Sequence, residues 1–275
     1  MKSIKSICWL VLSINLTGLP LLAQGDLLIF PRRLIFDQSQ RSMDITLANT
    51  GIDSASYNLS WTNYRMTFEG VFEEIPEPDS GQFFANPHLR YFPRMVHLAP
   101  GETQKVKVQL YRPQQLSKGE YRSHMMFRAI KPAEPLGTER ETHTTDEIVT
   151  KLILHYAITI PVILEIGSPK VTATLQQLEL IKSEDGETQL SFIIGRKGDK
   201  SLYGNVIVTH IGESGKTTEV GIVKGLAVYV PMIERKFTLK LNSIAGINFD
   251  KGKLLLEYLS QTKGNPIWAK EELVL

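Results

Sequence analysis

Cysteine is almost absent from this 275-residue sequence: the single one, Cys8, lies inside an N-terminal stretch that reads as a removable signal. Lys2 and Lys5 precede an apolar run over residues 7–14, and Ala23, Gln24 and Gly25 supply small residues for a signal peptidase. The run is too short, and too often interrupted by Ser, Asn and Thr, to cross a bilayer. Residues 1–25 are therefore expected to be a signal peptide, cut after Ala23 or Gly25, so that the exported chain starts near Asp26 without a thiol and without a disulfide. A hydrophobic core must hold it, and about 250 residues suffice for one or two ordinary domains.

A charge of one sign is lacking as well. Removal of Lys2 and Lys5 leaves 29 basic and 29 acidic residues, whereas nucleic-acid and anionic-membrane binders need a clustered positive excess. The six histidines (His88, His97, His124, His143, His155, His210) show no metal-ligand spacing, so no metal site is expected. No Ser, His and acid set follows a strand, turn and helix, so the chain gives no frame for nucleophilic catalysis and is read as a non-enzyme without a cofactor or small-molecule substrate. Gly212, Gly215, Lys216 and Thr217 imitate a phosphate loop. His210 stands where that loop needs its first glycine, and residues 217–223 read as a strand, which makes the segment a hairpin turn.

What the sequence has is alternation. Met43, Ile45 and Leu47 alternate with polar residues, as do Val106, Val108 and Leu110, and again Phe237, Leu239 and Leu241. Period two places one face in a core and the other in water. Turn signals such as Asn49-Thr50-Gly51, Pro100-Gly101 and Asp185-Gly186 separate the runs, and no segment carries a helical stripe. The fold class is all-β, with two immunoglobulin-like antiparallel β-sandwich domains. A boundary near Gly167-Ser168-Pro169 divides residues 26–166 from 169–275, with about seven strands before it and about eight after it. Tyr57, Trp61 and Tyr64 read as packing residues of a sandwich strand. A polar, charged, proline-marked loop over 131–147 leads into the longest apolar strand. On that strand Ile148, Thr150, Leu152, Leu154, Tyr156 and Ile158 project to one side, and Val149, Ile153 and Ala157 to the other, the latter side expected to meet the domain's own core. Pro161 marks the strand as an edge, because proline has no N–H for a ladder.

One stretch points to a family. Arg33, the apolar Leu34-Ile35-Phe36, a polar turn from Asp37 to Arg41, and a strand from Met43 that closes at Asn49 together resemble the opening of the periplasmic pilus assembly chaperones. The segment from Pro93 through Pro100-Gly101 and the Glu120 to Arg122 region resemble later parts of the same domain, so that the resemblance covers residues 26–166. It implies a periplasmic protein that binds pilus subunits, with an outer-membrane usher as the onward partner. It implies that Arg33 binds the client's terminal carboxylate, and that the strand carrying Thr150, Leu152, Leu154 and Tyr156 is donated to the client's unfinished sandwich, with the free form a monomer or a self-capped dimer. Members of the family add a lysine on that last strand. The nearest equivalent here by spacing and face is Thr159, which leaves Arg32, Arg122 and His155 as the cations to accompany Arg33. Other readings of the same sandwich pattern are a secreted adhesion or surface-structural module, and an enzyme or carbohydrate-binding domain with a compact polar pocket.

Export makes a first prediction. Protein recovered from the periplasm is expected to lack residues 1–23 or 1–25 and to react with no thiol reagent. Intact-mass measurement decides it, and retention of Cys8 would refute it.

Overall fold

The computed structural model describes residues 27–37, 39–112, 115–130, 156–262 and 264–275; the signal segment, the 131–147 loop and Thr150, Leu152 and Leu154 lie outside them. Two immunoglobulin-like β-sandwiches follow one another. The first contains β1 (Leu27–Phe30), β2 (Leu34–Phe36), β3 (Ser42–Asn49), β4 (Ala55–Thr62), β5 (Tyr64–Met66), β6 (Phe72–Glu74), β7 (Leu89–Phe92), β8 (Met95–Leu98), β9 (Thr103–Leu110), β10 (Gly119–Ile130) and β11 (Ala157–Ile166). The second contains β12 (Val171–Lys182), β13 (Thr188–Gly198), β14 (Leu202–Ile211), β15 (Thr217–Val228), β16 (Glu234–Lys240), β17 (Lys253–Ser260) and β18 (Ile267–Val274). The first sandwich thus has more and shorter strands than expected, because its first strand breaks in two and a small β5–β6 ribbon is added.

The order β1-β3-β9-β7 forms one sheet of the first sandwich and β2-β11-β10-β4-β8 the other. The alternation seen in the sequence places Ile45, Leu47, Val106 and Val108 in a common core with Leu98, Tyr57 and Phe127. The second sandwich packs the sheets β12-β13-β16 and β15-β14-β17-β18 around Phe192, Val206, Val208, Leu254, Leu256 and Tyr258. Gly212, Gly215, Lys216 and Thr217 do form the hairpin between β14 and β15. Gly212 N–H donates to the Lys216 carbonyl at 3.0 Å, and Gly215 takes the turn with φ of 80°.

The break between β1 and β2 positions the site. β1 pairs antiparallel with β3 as far as Phe30 opposite Thr46. Pro31 has no N–H to continue that ladder, and the chain crosses to the other sheet. There Leu34, Ile35 and Phe36 pair in parallel with Val162, Ile163 and Leu164 of β11. Leu34 and Phe36 are fully buried in the core while Ile35 turns outward, so period two sends Arg33 to the outward side as well.

On β11 the even positions Ile158, Ile160, Val162, Leu164 and Ile166 face the first core, and Ala157 is exposed. This reverses the expectation for Ile158 and Ala157. The parity of the strand is set by its long register with β10, where Leu164 lies opposite Tyr121 and Ile158 opposite Phe127, both core residues. β2 covers β11 only over Val162–Leu164. Among the described strands, nothing pairs with the same edge from Ala157 to Pro161.

Because Phe36 anchors the crossover and is fully buried in the core, Phe36→Ala is expected to destabilise the protein by about 3–5 kcal/mol. Urea unfolding followed by far-UV circular dichroism measures it; a loss under about 1 kcal/mol would mean that β2 is dispensable to the core.

Candidate functional site

β10 buries both of its faces. Tyr121, Met125 and Phe127 enter the first core, while Glu120, Arg122 and His124, on the alternate positions, are buried against the second sandwich. Glu120 lies directly opposite Glu165 of β11, and like charges so placed repel across a sheet. The second sandwich satisfies both. Ser201 donates its backbone N–H to Glu120 Oε2 at 2.7 Å and its hydroxyl to Oε1, and Lys200 Nζ pairs with Glu165 at 2.6 Å. The Ser201 hydroxyl in turn accepts the Val230 N–H at 3.0 Å. Met66 and Ile163 of the first sandwich pack with Ala227 and Tyr229 of the second. A further tie joins the Lys236 N–H to the Phe68 carbonyl at 2.8 Å, beside Gly70. Gly70 has φ of 80°, a conformation that residues with a side chain rarely adopt, and lies against the Arg235 guanidinium, so the turn favours glycine.

Arg33 stands in the cleft these ties create. Its guanidinium carbon lies 4.1 Å from the centre of the Tyr203 ring and 5.4 Å from that of Tyr229, a cation–π arrangement. Nη1 donates to the Tyr229 hydroxyl at 3.1 Å, and the buried Nε has no acceptor. Arg122 covers the Tyr229 ring at 4.0 Å. Its Nη2 donates to the Tyr64 carbonyl at 3.0 Å, leaving Nε and Nη1 buried without partners. Burial lowers its pKa to about 10, with Tyr229 and Glu120 opposing that shift. Neither guanidinium forms an ion pair among the described residues. Two cations thus share one ring, and the nitrogens left without partners, Arg33 Nε and Arg122 Nε and Nη1, are buried.

The expected cations divide clearly. Arg32 is exposed at the mouth of the cleft and His155 lies outside the described residues. Arg122 is the one that joins Arg33 at the Tyr229 ring. No lysine stands on β11; Thr159 lies opposite Met126, and Arg122, Ile163 and Ile35 share one row across three strands. Tyr156 is exposed, and its carbonyl accepts from the Ala129 N–H at 3.4 Å. Tyr57 is buried in the first core and Trp61 meets Tyr91 edge-on at 5.4 Å. Tyr64 joins the cleft instead, 4.9 Å from His124 and 5.9 Å from Phe72. Sequence reasoning missed Lys200, Ser201, Tyr203, Tyr229 and Trp268, because nothing local marks residues that meet Arg33 from a second sandwich.

A pocket of about 310 Å3 opens beside Arg33. Arg32, Arg33 and Lys200 bring positive charge to it, and Glu120 and Glu165, already held by Ser201 and Lys200, bring negative. Pro31, Ile35, Tyr203 and Trp268 make its apolar wall.

No family model matches the chain, and no curated protein matches it in sequence. Solved structures are similar to it in overall form. They include a chaperone–tip adhesion subunit pre-assembly complex, CsuC–CsuE, from archaic chaperone-usher pili of Acinetobacter baumannii, at 11% identity over 90% of this chain and 96% of that one, with a TM-score of 0.45. The class 5 fimbriae chaperone CfaA matches at 12% identity over 90% and 98%, with a TM-score of 0.45. The Salmonella enterica SafA pilin in complex with the SafB chaperone matches at 12% over 92% and 97%, with a TM-score of 0.42. Likeness at these values describes the course of the chain, and the chemistry below rests on this chain's own residues.

His124 supplies a pH prediction. Burial first, then Arg122 and Arg33, hold its pKa down to about 3 from an ordinary 6.5, and its surroundings are the rings of Tyr64, Phe72 and Tyr229. The unfolded chain takes up this proton below pH 6.5 while the folded chain refuses it until about pH 3. The group therefore contributes stability above pH 6.5 that drains away as the pH falls towards 3, at up to about 1.4 kcal/mol per unit. Urea midpoints between pH 7 and 4 are expected to fall less steeply for His124→Phe than for the parent. Parallel curves would show that His124 does not couple to folding.

Proposed function

We propose that the protein is a periplasmic chaperone for pilus subunits, which it holds by strand addition at β11 with the client's terminal carboxylate on Arg33. The observation that carries this reading is the place where β2 begins. β2 pairs in parallel with β11 from Leu34 opposite Val162, which sets Arg33 level with Pro161, at the point where the uncovered edge of β11 starts. A client strand laid along that edge in the direction of β2 ends at Arg33, and presents its carboxylate to the guanidinium. Laid the other way it presents an ammonium group, which Arg33 and Arg122 repel. The charge thus selects a parallel strand whose last residue is the client's C-terminus.

A guanidinium grips a carboxylate through parallel N–H bonds that an ammonium group cannot reproduce. Arg122, with its own nitrogens buried behind Tyr229, strengthens the positive field at that point. The strand proposed for donation carries Thr150, Leu152 and Leu154, which lie outside the described residues, and Tyr156, which is exposed ahead of the core-facing Ile158. Two donated leucines at about 1.5–3 kcal/mol each give useful affinity, less the cost of ordering the strand. The signal segment expected over residues 1–25 fits a periplasmic site of action.

Arg33→Ala is expected to leave the protein folded, at a cost of about 1–2 kcal/mol for the lost Tyr229 bond and ring contacts, while co-purification of pilus subunits falls sharply. Leu152→Asp and Leu154→Asp are expected to abolish subunit capture by a protein that still folds. Ile153, whose side the sequence reading gives to the protein's own core, lies outside the described residues; an Ile153→Asp variant that folds and captures subunits normally would extend to it the reversal seen at Ala157 and Ile158. Normal subunit yield with Arg33→Ala would remove the carboxylate anchor. A Leu154→Asp variant that captures subunits normally would remove the donated strand. Loss of self-association rather than of subunit binding in the leucine variants would favour a surface-structural module that pairs with its own copies.

A further inference from the structure

We infer that the second sandwich aims the anchor: Tyr203, through its ring, and Tyr229, through its hydroxyl, are positioning residues that hold the Arg33 guanidinium in one orientation before a client arrives. The inference rests on the carboxylate reading above and adds how the arginine is made ready for it. Arg33 stands one residue ahead of the fully buried Leu34, which fixes its backbone. Its long side chain still has many rotamers open to it, and capture of a client at the guanidinium costs that freedom. A side chain already held in the bound orientation avoids the cost, and affinity rises accordingly.

Two contacts from the second sandwich restrict it. Tyr203 lies on β14 between the buried Leu202 and Gly204, so period two turns its ring outward. There it packs with Met66, Ile163, Ala227 and Tyr229 at the junction of the sandwiches. The phenol end of the ring is held as well. Gly225 has φ of 72°, and a Cβ there would come within 3.0 Å of the Tyr203 hydroxyl, so the ring rests against bare backbone. The guanidinium carbon of Arg33 lies 4.1 Å from the centre of this ring, well within cation–π range. Tyr229 acts on one nitrogen, its hydroxyl accepting from Nη1 at 3.1 Å. Nε is buried, and among the described residues Nη2 is the nitrogen neither bonded nor buried. Nη2 and the second N–H of Nη1 are then the donors left for a carboxylate, a fork that suits two oxygens. The two tyrosines make different demands: the contact at position 203 needs an aromatic ring, and that at 229 needs the oxygen.

The test begins with the mature protein free of any client. By nitrogen NMR relaxation, the order parameter of the Arg33 Nε–H is expected to lie near the value of about 0.85 typical of rigid backbone, and that of the exposed Arg32 under about 0.6. Tyr203→Phe is expected to keep Arg33 rigid, whereas Tyr203→Leu and Tyr229→Phe move it towards the Arg32 value. Capture of co-expressed pilus subunits is expected to follow the same order: parent yield with Tyr203→Phe, and a yield lower by at least about threefold with Tyr203→Leu and Tyr229→Phe. An Arg33 as mobile as Arg32 in the parent would overturn the inference and leave the carboxylate anchor standing. So would a Tyr203→Leu variant in which Arg33 stays rigid, or one that captures subunits at parent yield. Release of Arg33 by Tyr203→Phe would overturn the assignment to the ring, and a Tyr229→Phe variant indistinguishable from the parent would overturn the part given to the hydroxyl. A rigid Arg33 in the parent together with normal capture by Arg33→Ala would instead overturn the anchor itself.

Discussion

β10 has no face left for water, and the rest of the molecule is arranged around that constraint. A strand in a free-standing sandwich shows one side to its core and one to solvent. Here the second side carries Glu120, Arg122 and His124, all buried. Charged groups removed from water are stable only with partners, and Ser201 and Lys200 bring those partners from the second sandwich to Glu120 and its neighbour Glu165. Docking of the sandwiches is thus the condition under which β10 can exist as it is. The same docking lays Tyr229 between Arg33 and Arg122 and creates the pocket. The cationic cleft is a product of the interface, not a patch added to it.

Arg122 shows what that interface costs. A buried guanidinium with one bond, to the Tyr64 carbonyl, and two unpartnered nitrogens is expensive to hold, and it sits there at the cost of stability. Its position on the Tyr229 ring, whose hydroxyl accepts from Arg33, fixes that ring and with it the direction of Arg33. An anion arriving at Arg33 meets the field of two cations in a region of low dielectric, where each interaction counts for more than in water.

Much of this was legible in the sequence, and the rest was hidden for physical reasons. Alternation at Ile45, Leu47, Val106 and Val108 exposed the core faces because one-sided burial writes period two directly. The Gly212 to Thr217 turn was legible because its glycines and the strands around it are local. Arg33 stood out through its neighbours. The face of β11 was misread at Ala157 and Ile158, because a strand apolar on both sides carries no periodic signal and only the register with β10 decides. The polar run of β10 from Glu120 to His124 reads as a solvated stretch until a second sandwich covers it. Tyr229 lies 196 residues from Arg33, and no pattern within either segment announces the meeting. Long-range pairing between sandwiches is the part of the fold that sequence periodicity does not encode.

Among the described strands nothing covers the edge of β11 from Ala157 to Pro161, which leaves it open to a client or to a second copy. Exposed ladder edges invite aggregation unless something blunts them. Three local features do so here. β2 occupies the edge from Val162 to Leu164. Pro161 then removes the next N–H, so that a strand approaching from outside finds a gap before it finds a ladder. Arg33, level with that gap, turns away any chain that arrives with its amino end first. A second copy of this protein offers no free carboxylate at the end of its β11, so self-pairing along this edge leaves the guanidinium unanswered. On the proposed reading, a client that ends in a carboxylate answers it. On the proposed reading, edge, proline and arginine together make the open strand selective rather than merely open, and the step at Pro31 that moves the chain from one sheet to the other is what brings Arg33 level with Pro161.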